Sequence, residues 1–162
     1  MKAFGYCAFF ALMGSPLVGR VGETAEQLMK RFGPPSSRGI HRAMAQGRSY
    51  DLGPTFVFRQ NDWEISCDLV DGRCVRIIFT KIGEWTEEHF QTVLNANSQG
   101  EKWTEDIKPG LKQMAREWKR RDGAIANWAS RGGMTITVPA YERAKSIAEA
   151  KAKAAAGKPA KI

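Results

Sequence analysis

Residues 55–81 read TFVFRQNDWEISCDLVDGRCVRIIFTK and decide the fold: three short runs separated by two turn dipeptides. Thr55–Gln60 and Trp63–Val70 alternate cleanly, with Phe56 and Phe58, then Trp63, Ile65, Cys67 and Leu69, pointing one way. Period-two alternation of aromatic and aliphatic residues is the pattern of half-buried strands. In the third run, Arg73–Lys81, the longer apolar series is Val75, Ile77 and Phe79. A strict two-residue Asp71-Gly72 loop turns that series away from Ile65 and Cys67. A three-residue loop, Val70-Asp71-Gly72 with Gly72 left-handed, brings the two series together. Register follows the buried face, so the bulged turn is expected. It places Cys67 in the core and Cys74 on the opposite face, which predicts two separate thiols.

Helical signals flank this meander. Thr24 and Gln27 form a capping box ahead of Leu28, Met29 and Phe32, and Gly33-Pro34-Pro35 stops that helix. Residues 36–47 show no clear period and read as a loop, with a strand beginning near Tyr50 and Leu52. Thr86 caps a second helix with Glu87 and Glu88 in its first turn, Trp85 stapled to Phe90, and Val93 and Leu94 facing inward. Residues 98–112 read as an exposed connection anchored by Trp103. A second meander follows in Gln113–Arg121, Ala124–Ser130 and Met134–Val138, turning at Asp122-Gly123 and Gly132-Gly133. A bulged Arg121-Asp122-Gly123 loop puts Trp118, Ala126 and Trp128 on one face. Residues 20–142 are therefore expected to be a single α+β domain of antiparallel β-meanders packed by two short helices. An Ala/Lys-rich C-terminal helix follows, within a basic tail over 143–162.

The first nineteen residues read differently. Lys2, an apolar run from Ala3 to Met13, and the helix-breaking Gly14-Ser15-Pro16 have the order of a secretory signal peptide, with Gly19 before the expected cut. Periplasmic or secreted localisation is the expectation. The apolar run is too short to span a bilayer, and Cys7 lies inside it, not after it as a lipoprotein requires. Of the formal +8, five units belong to residues 143–162, where six Lys or Arg face one Glu, and one belongs to Lys2. The body is left near +2, which argues against nucleic-acid binding by the sheet, since such a face needs cations beside its stacking aromatics. A lysine-rich tail suits a protein or cell-envelope partner, or peripheral contact with anionic lipid. With 43% hydrophobic and 26% charged residues in a 162-residue chain, neither disorder nor a multi-span membrane protein fits.

No constellation of catalytic residues stands out. His41 and His89 have no ligand spacing, Cys67 reads as core, Cys74 as a surface thiol, and Gly132-Gly133 opens no phosphate loop. No catalytic residue, cofactor or metal is implied. Four of the five tryptophans have packing roles, so the candidate contact residues are Trp103, Lys102 and the tail lysines Lys145, Lys151 and Lys153.

Glu23–Gln27, Arg31–Pro35, Asp71–Cys74 and Trp118–Ala124 together resemble an uncharacterised family of small exported bacterial proteins over most of residues 20–143. A weaker likeness, over residues 22–80, is to SmpA/BamE-type envelope domains, which pair a Thr-capped helix ending in Gly-Pro with a small antiparallel sheet. Both resemblances imply export without implying an activity. The expectation is a non-catalytic envelope binding or accessory module. Its alternatives are a small hydrolase whose site assembles only in the fold and, third, a nucleic-acid binder.

Overall fold

The computed structural model describes residues 19–45, 48–106, 110 and 113–156. Most of the expected leader, part of the connection and the end of the tail fall outside them. The elements are α1 (Ala25–Phe32), β1 (Ser37–Ala45), β2 (Arg48–Gln60), β3 (Trp63–Val70), β4 (Arg73–Lys81), α2 (Glu87–Ala96), β5 (Trp103–Asp106), β6 (Ala115–Arg120), β7 (Ile125–Ala129), β8 (Gly133–Thr137) and α3 (Pro139–Ala156).

This corrects the expected fold class. There are not two meanders packed by helices but one antiparallel sheet of eight strands, ordered β1-β2-β3-β4-β8-β7-β6-β5, which dominates the chain. Three local differences produce it. Residues 36–47, read as a loop, contain the whole of β1, which pairs along its length with β2. Trp103–Asp106, read as connection, pairs with β6. The two meanders then fuse where Arg76–Phe79 of β4 meets Met134–Thr137 of β8. The strand order reads alike from either edge, and each half begins with a Thr-capped helix followed by four strands.

One face of the sheet holds the main core. Leu28 and Phe32 of α1, and Phe90, Val93 and Leu94 of α2, pack on Phe58, Ile65, Cys67, Leu69, Ile77, Phe79, Trp118, Met134 and Ile136. Thr24 and Thr86 each complete a capping box, the second with His89 in the third position, where it accepts the Thr86 amide through Nδ1 at 3.0 Å. Trp85 and Phe90 stack with ring centroids 5.3 Å apart. The other face is covered differently: α3 packs along β1–β4.

The β3–β4 hairpin also corrects the expected register. Val70 pairs directly with Arg73, and Asp71 (φ 50°) and Gly72 (φ 75°) form a two-residue turn of the primed kind. The parity change comes later, as a bulge: Leu69 faces Cys74 but Asp68 faces Arg76, leaving Val75 as the extra residue. Ile77 and Phe79 thus still point inward, as the buried face requires. Cys74, however, lies on the core side with Cys67, not opposite it, and both thiols are free and buried. In the second half, Arg120 N–H bonds the Ala124 carbonyl around a three-residue Arg121-Asp122-Gly123 loop.

Candidate functional site

The face beneath α3 carries a polar cluster drawn from five elements. Asp68 on β3 is 2% exposed. It accepts the Thr55 hydroxyl from β2 and Nε of Arg76 from β4, both at 2.5 Å. Arg76 reaches on to the Tyr141 hydroxyl of α3 at 3.0 Å and to His41 Nδ1 of β1 at 2.9 Å. His41 Nε2 lies 3.0 Å from the same Tyr141 hydroxyl. Strand alternation explains why these residues meet: Thr55, Asp68 and Arg76 are cross-strand partners, all facing away from the main core. Tyr141, in the first turn of α3, closes the cluster from above, with Arg76 4.9 Å over its ring.

The chemistry of this cluster is that of a clamp. His41 brings a ring nitrogen within 3.7 Å of Asp68 Oδ2, which on distance alone suggests a base and its orienting carboxylate. But Nδ1 is already engaged by the Arg76 guanidinium, which can only donate. His41 is thereby held neutral, with its Nε2 proton directed at Tyr141. Burial pushes its pKa below the ordinary 6.5, Asp68 pulls it up, and Arg76 pushes it further down. A ring so engaged cannot take a substrate proton without first releasing Arg76.

Beside the clamp, α3 and the ends of β2, β3 and β4 enclose a groove of about 700 Å³. Its apolar wall comes from Leu52, Val70 and Val75 on the strands and from Ala140, Ala144, Ile147 and Ala148 along one stripe of the helix. Arg73, Arg143 and Lys151 line it as well, with Asp51 and Asp71. A second, smaller depression of about 390 Å³ lies in the other half of the sheet, between β5 and β8. Its lining includes Ala115, Glu117, Asn127, Ala129 and Thr135.

The residues singled out in sequence do not converge. Trp103 is an anchor: its indole N–H donates to the Leu94 carbonyl at 2.8 Å, and the Arg120 guanidinium lies 5.1 Å from its ring. Lys102 is exposed beside it, at the strand edge farthest from β1. The tail lysines sit on α3, over the first four strands. Lys145 lies 4.0 Å from Glu142, Lys151 lines the groove, and Lys153 is exposed in the last turn. Sequence reasoning missed His41, Asp68, Arg76 and Tyr141 as a set. The only local signal was the polar side of the β2–β4 alternation, which solvent exposure would explain equally well.

Among the described residues, no group of three or more His, Cys, Asp or Glu could hold a metal ion, and no helix is long and apolar enough to cross a membrane.

No protein-family model and no curated protein matches the chain. Among solved structures, it is similar to a cysteine-rich secretory protein from Staphylococcus aureus subsp. aureus Mu50, with a TM-score of 0.46 and 13% identity. The alignment covers 75% of this chain and 45% of that one. The chain spans less than half of that protein's length, and so distant a likeness assigns neither fold family nor role.

Proposed function

We propose that this chain is an exported, non-catalytic binding module of the cell envelope that receives a protein partner on the open half of its second sheet face. Export is supported by the charge, apolar run and helix breakers of residues 2–16. Binding over catalysis is supported by how the reactive side chains are used: His41 is clamped, His89 caps α2, and both described cysteines are buried.

The observation that carries the surface is the asymmetry of cover. α3 packs along β1–β4, while Ala115, Asn127 and Ala129 of β6 and β7 are exposed around the 390 Å³ depression. Small side chains there let a partner approach the strands closely, and Asn127 offers both a donor and an acceptor. Asn127→Arg and Ala129→Arg, made separately in the full chain, test this. Each is expected to retain the wild-type melting temperature within about 2 °C, as exposed substitutions do. Each is also expected to lose the partners that wild-type protein captures from envelope extract. Unchanged capture by both variants, or loss of capture only when residues 143–162 are scrambled, overturns the surface. Recovery of the intact polypeptide from the cytosolic fraction overturns the assignment to the envelope.

A further inference from the structure

We propose that the groove between α3 and the β2–β4 ends binds a monomeric medium-chain fatty acid, its acyl chain along the helix and its carboxylate in the field of the cations that line the trough, Arg143, Lys151 and Arg73. This inference does not depend on the partner surface proposed above, which lies in the other half of the sheet.

Shape comes first. The volume of about 700 Å³ falls within the usual range of small-ligand sites. The helix wall is built from Ala140, Ala144 and Ala148, spaced by one turn each, so the backbone of α3 stays close while no large side chain fills the space. Val75 is the extra residue of the β4 bulge, so the irregularity that keeps Ile77 in the main core also contributes to this wall. Ile147 is 56% exposed among the groove-lining residues, an unusual place for a large aliphatic with nothing among the described residues to cover it.

Charge identifies the head group. Three cations and two carboxylates line the groove. Asp51 is neutralised by Arg42 at 2.9 Å. Arg73 uses one nitrogen on the Gly22 carbonyl and has others to offer. Arg143 and Lys151 project from the helix that forms the apolar wall, two turns apart. Cations beside a hydrocarbon-lined trough complement an anionic head on an apolar chain. Among the described residues, the lining has no aromatic ring on which a base or sugar could stack.

The test uses full-length protein and sodium laurate labelled with carbon-13 at the carboxyl, kept below its micelle concentration. Expected results are saturable binding, a carboxyl titration displaced to lower pH in the bound state, and affinity rising several-fold from octanoate to decanoate to laurate. Dodecanol, with the same chain and no charge, is expected to bind at least tenfold more weakly. Arg143→Ala/Lys151→Ala is expected to weaken laurate about tenfold while dodecanol is unaffected. Ala144→Trp, which fills the trough, is expected to abolish both. No saturable laurate binding, equal affinity for laurate and dodecanol, or undiminished binding by the double variant overturns the proposal. Binding to anionic phospholipid vesicles that is lost with Arg143→Ala/Lys151→Ala, without binding of monomeric laurate, assigns those cations to the membrane surface and also overturns it.

Discussion

Asp68 is a carboxylate at 2% exposure, and Arg76 is what makes that burial tolerable. Removing one member of a buried ion pair leaves the other uncompensated, at a cost of about 3–5 kcal/mol. Arg76→Ala is therefore expected to lower the unfolding free energy by about 3 kcal/mol in urea titration, because Arg76 itself retains some solvent contact. Arg76→Met/Asp68→Asn is expected to recover part of that loss. His41 brings a pH dependence with a definite sign. Its folded-state pKa is depressed, first by burial, so the folded protein binds fewer protons than the unfolded chain just below pH 6.5. Its contribution is present above pH 6.5 and is lost as the pH falls toward the folded value. The melting temperature should fall from pH 7.5 to 5.5, and His41→Gln should flatten that slope; an unchanged slope would remove His41 as its source. Cys74 is held well above the ordinary thiol range, first by its contact with the Cys67 thiol and then by burial. Iodoacetamide should leave Cys67 and Cys74 unmodified in the native protein and alkylate both in guanidinium.

At the scale of elements, what sequence revealed and what it hid divide along a physical line. Short-range devices were legible. The two Thr caps, the Trp85–Phe90 staple and the three-residue loop at Asp122-Gly123 each depend on residues within a few positions of one another. Non-local pairing was not legible. β1 is an edge strand whose large aliphatics, Ile40 at 55% and Met44 at 66%, are exposed while His41 and the small Ala43 are sheltered, so no apolar alternation marks it in the sequence and its place is set by backbone bonds to β2. The parity of β4 was legible, but the position of the correction was not. A bulge at Val75 and a bulge in the turn bury the same Ile77 and Phe79; they differ in Cys74, which joins the core, and in Val75, which leaves the inward series and lines the groove beneath α3. The polar clamp was hidden for the same reason as the sheet, since it joins His41 to a tyrosine 100 residues away. The groove depends on how α3 lies, which its composition alone does not set. Gly133 marks the junction of the halves: its φ is +78°, and an added Cβ would collide with the Phe79 carbonyl oxygen across the β4–β8 pairing. Gly133→Ala should cost about 2 kcal/mol or more, combining a left-handed alanine with a displaced strand. Gly39→Ala, in open space on β1 and without a positive φ, should stay within about 0.5 kcal/mol of wild type.

For the molecule as a whole, the question is whether two similar halves make two folding units or one. Among the described residues, backbone pairing between them amounts to the four rungs from Arg76–Thr137 to Phe79–Met134 and one flanking bond from the Val138 N–H to the Val75 carbonyl, which alone would favour independence. The core argues the other way. A run of ring contacts passes from Trp63 on β3 to Trp85, to Phe90 on α2, and on to both Trp118 and Trp128. Phe79 and Met134 face each other across the junction with no exposure at all. Asn97, equally buried, ties the N-terminal segment to the end of α2 through the Gly19 carbonyl and the Val21 amide, and its own carbonyl accepts from Arg120 of β6. Separating the halves would expose this continuous apolar face and leave those polar groups unpaired in each piece. Unfolding in urea should therefore be a single transition, with far-UV circular dichroism and tryptophan fluorescence superimposing. A fragment of residues 19–83 should lack native tertiary signal alone and regain it only when residues 84–156 are supplied. Two resolved transitions, or a fragment that melts cooperatively by itself, would show that the aromatic run is a contact between domains and not a shared core.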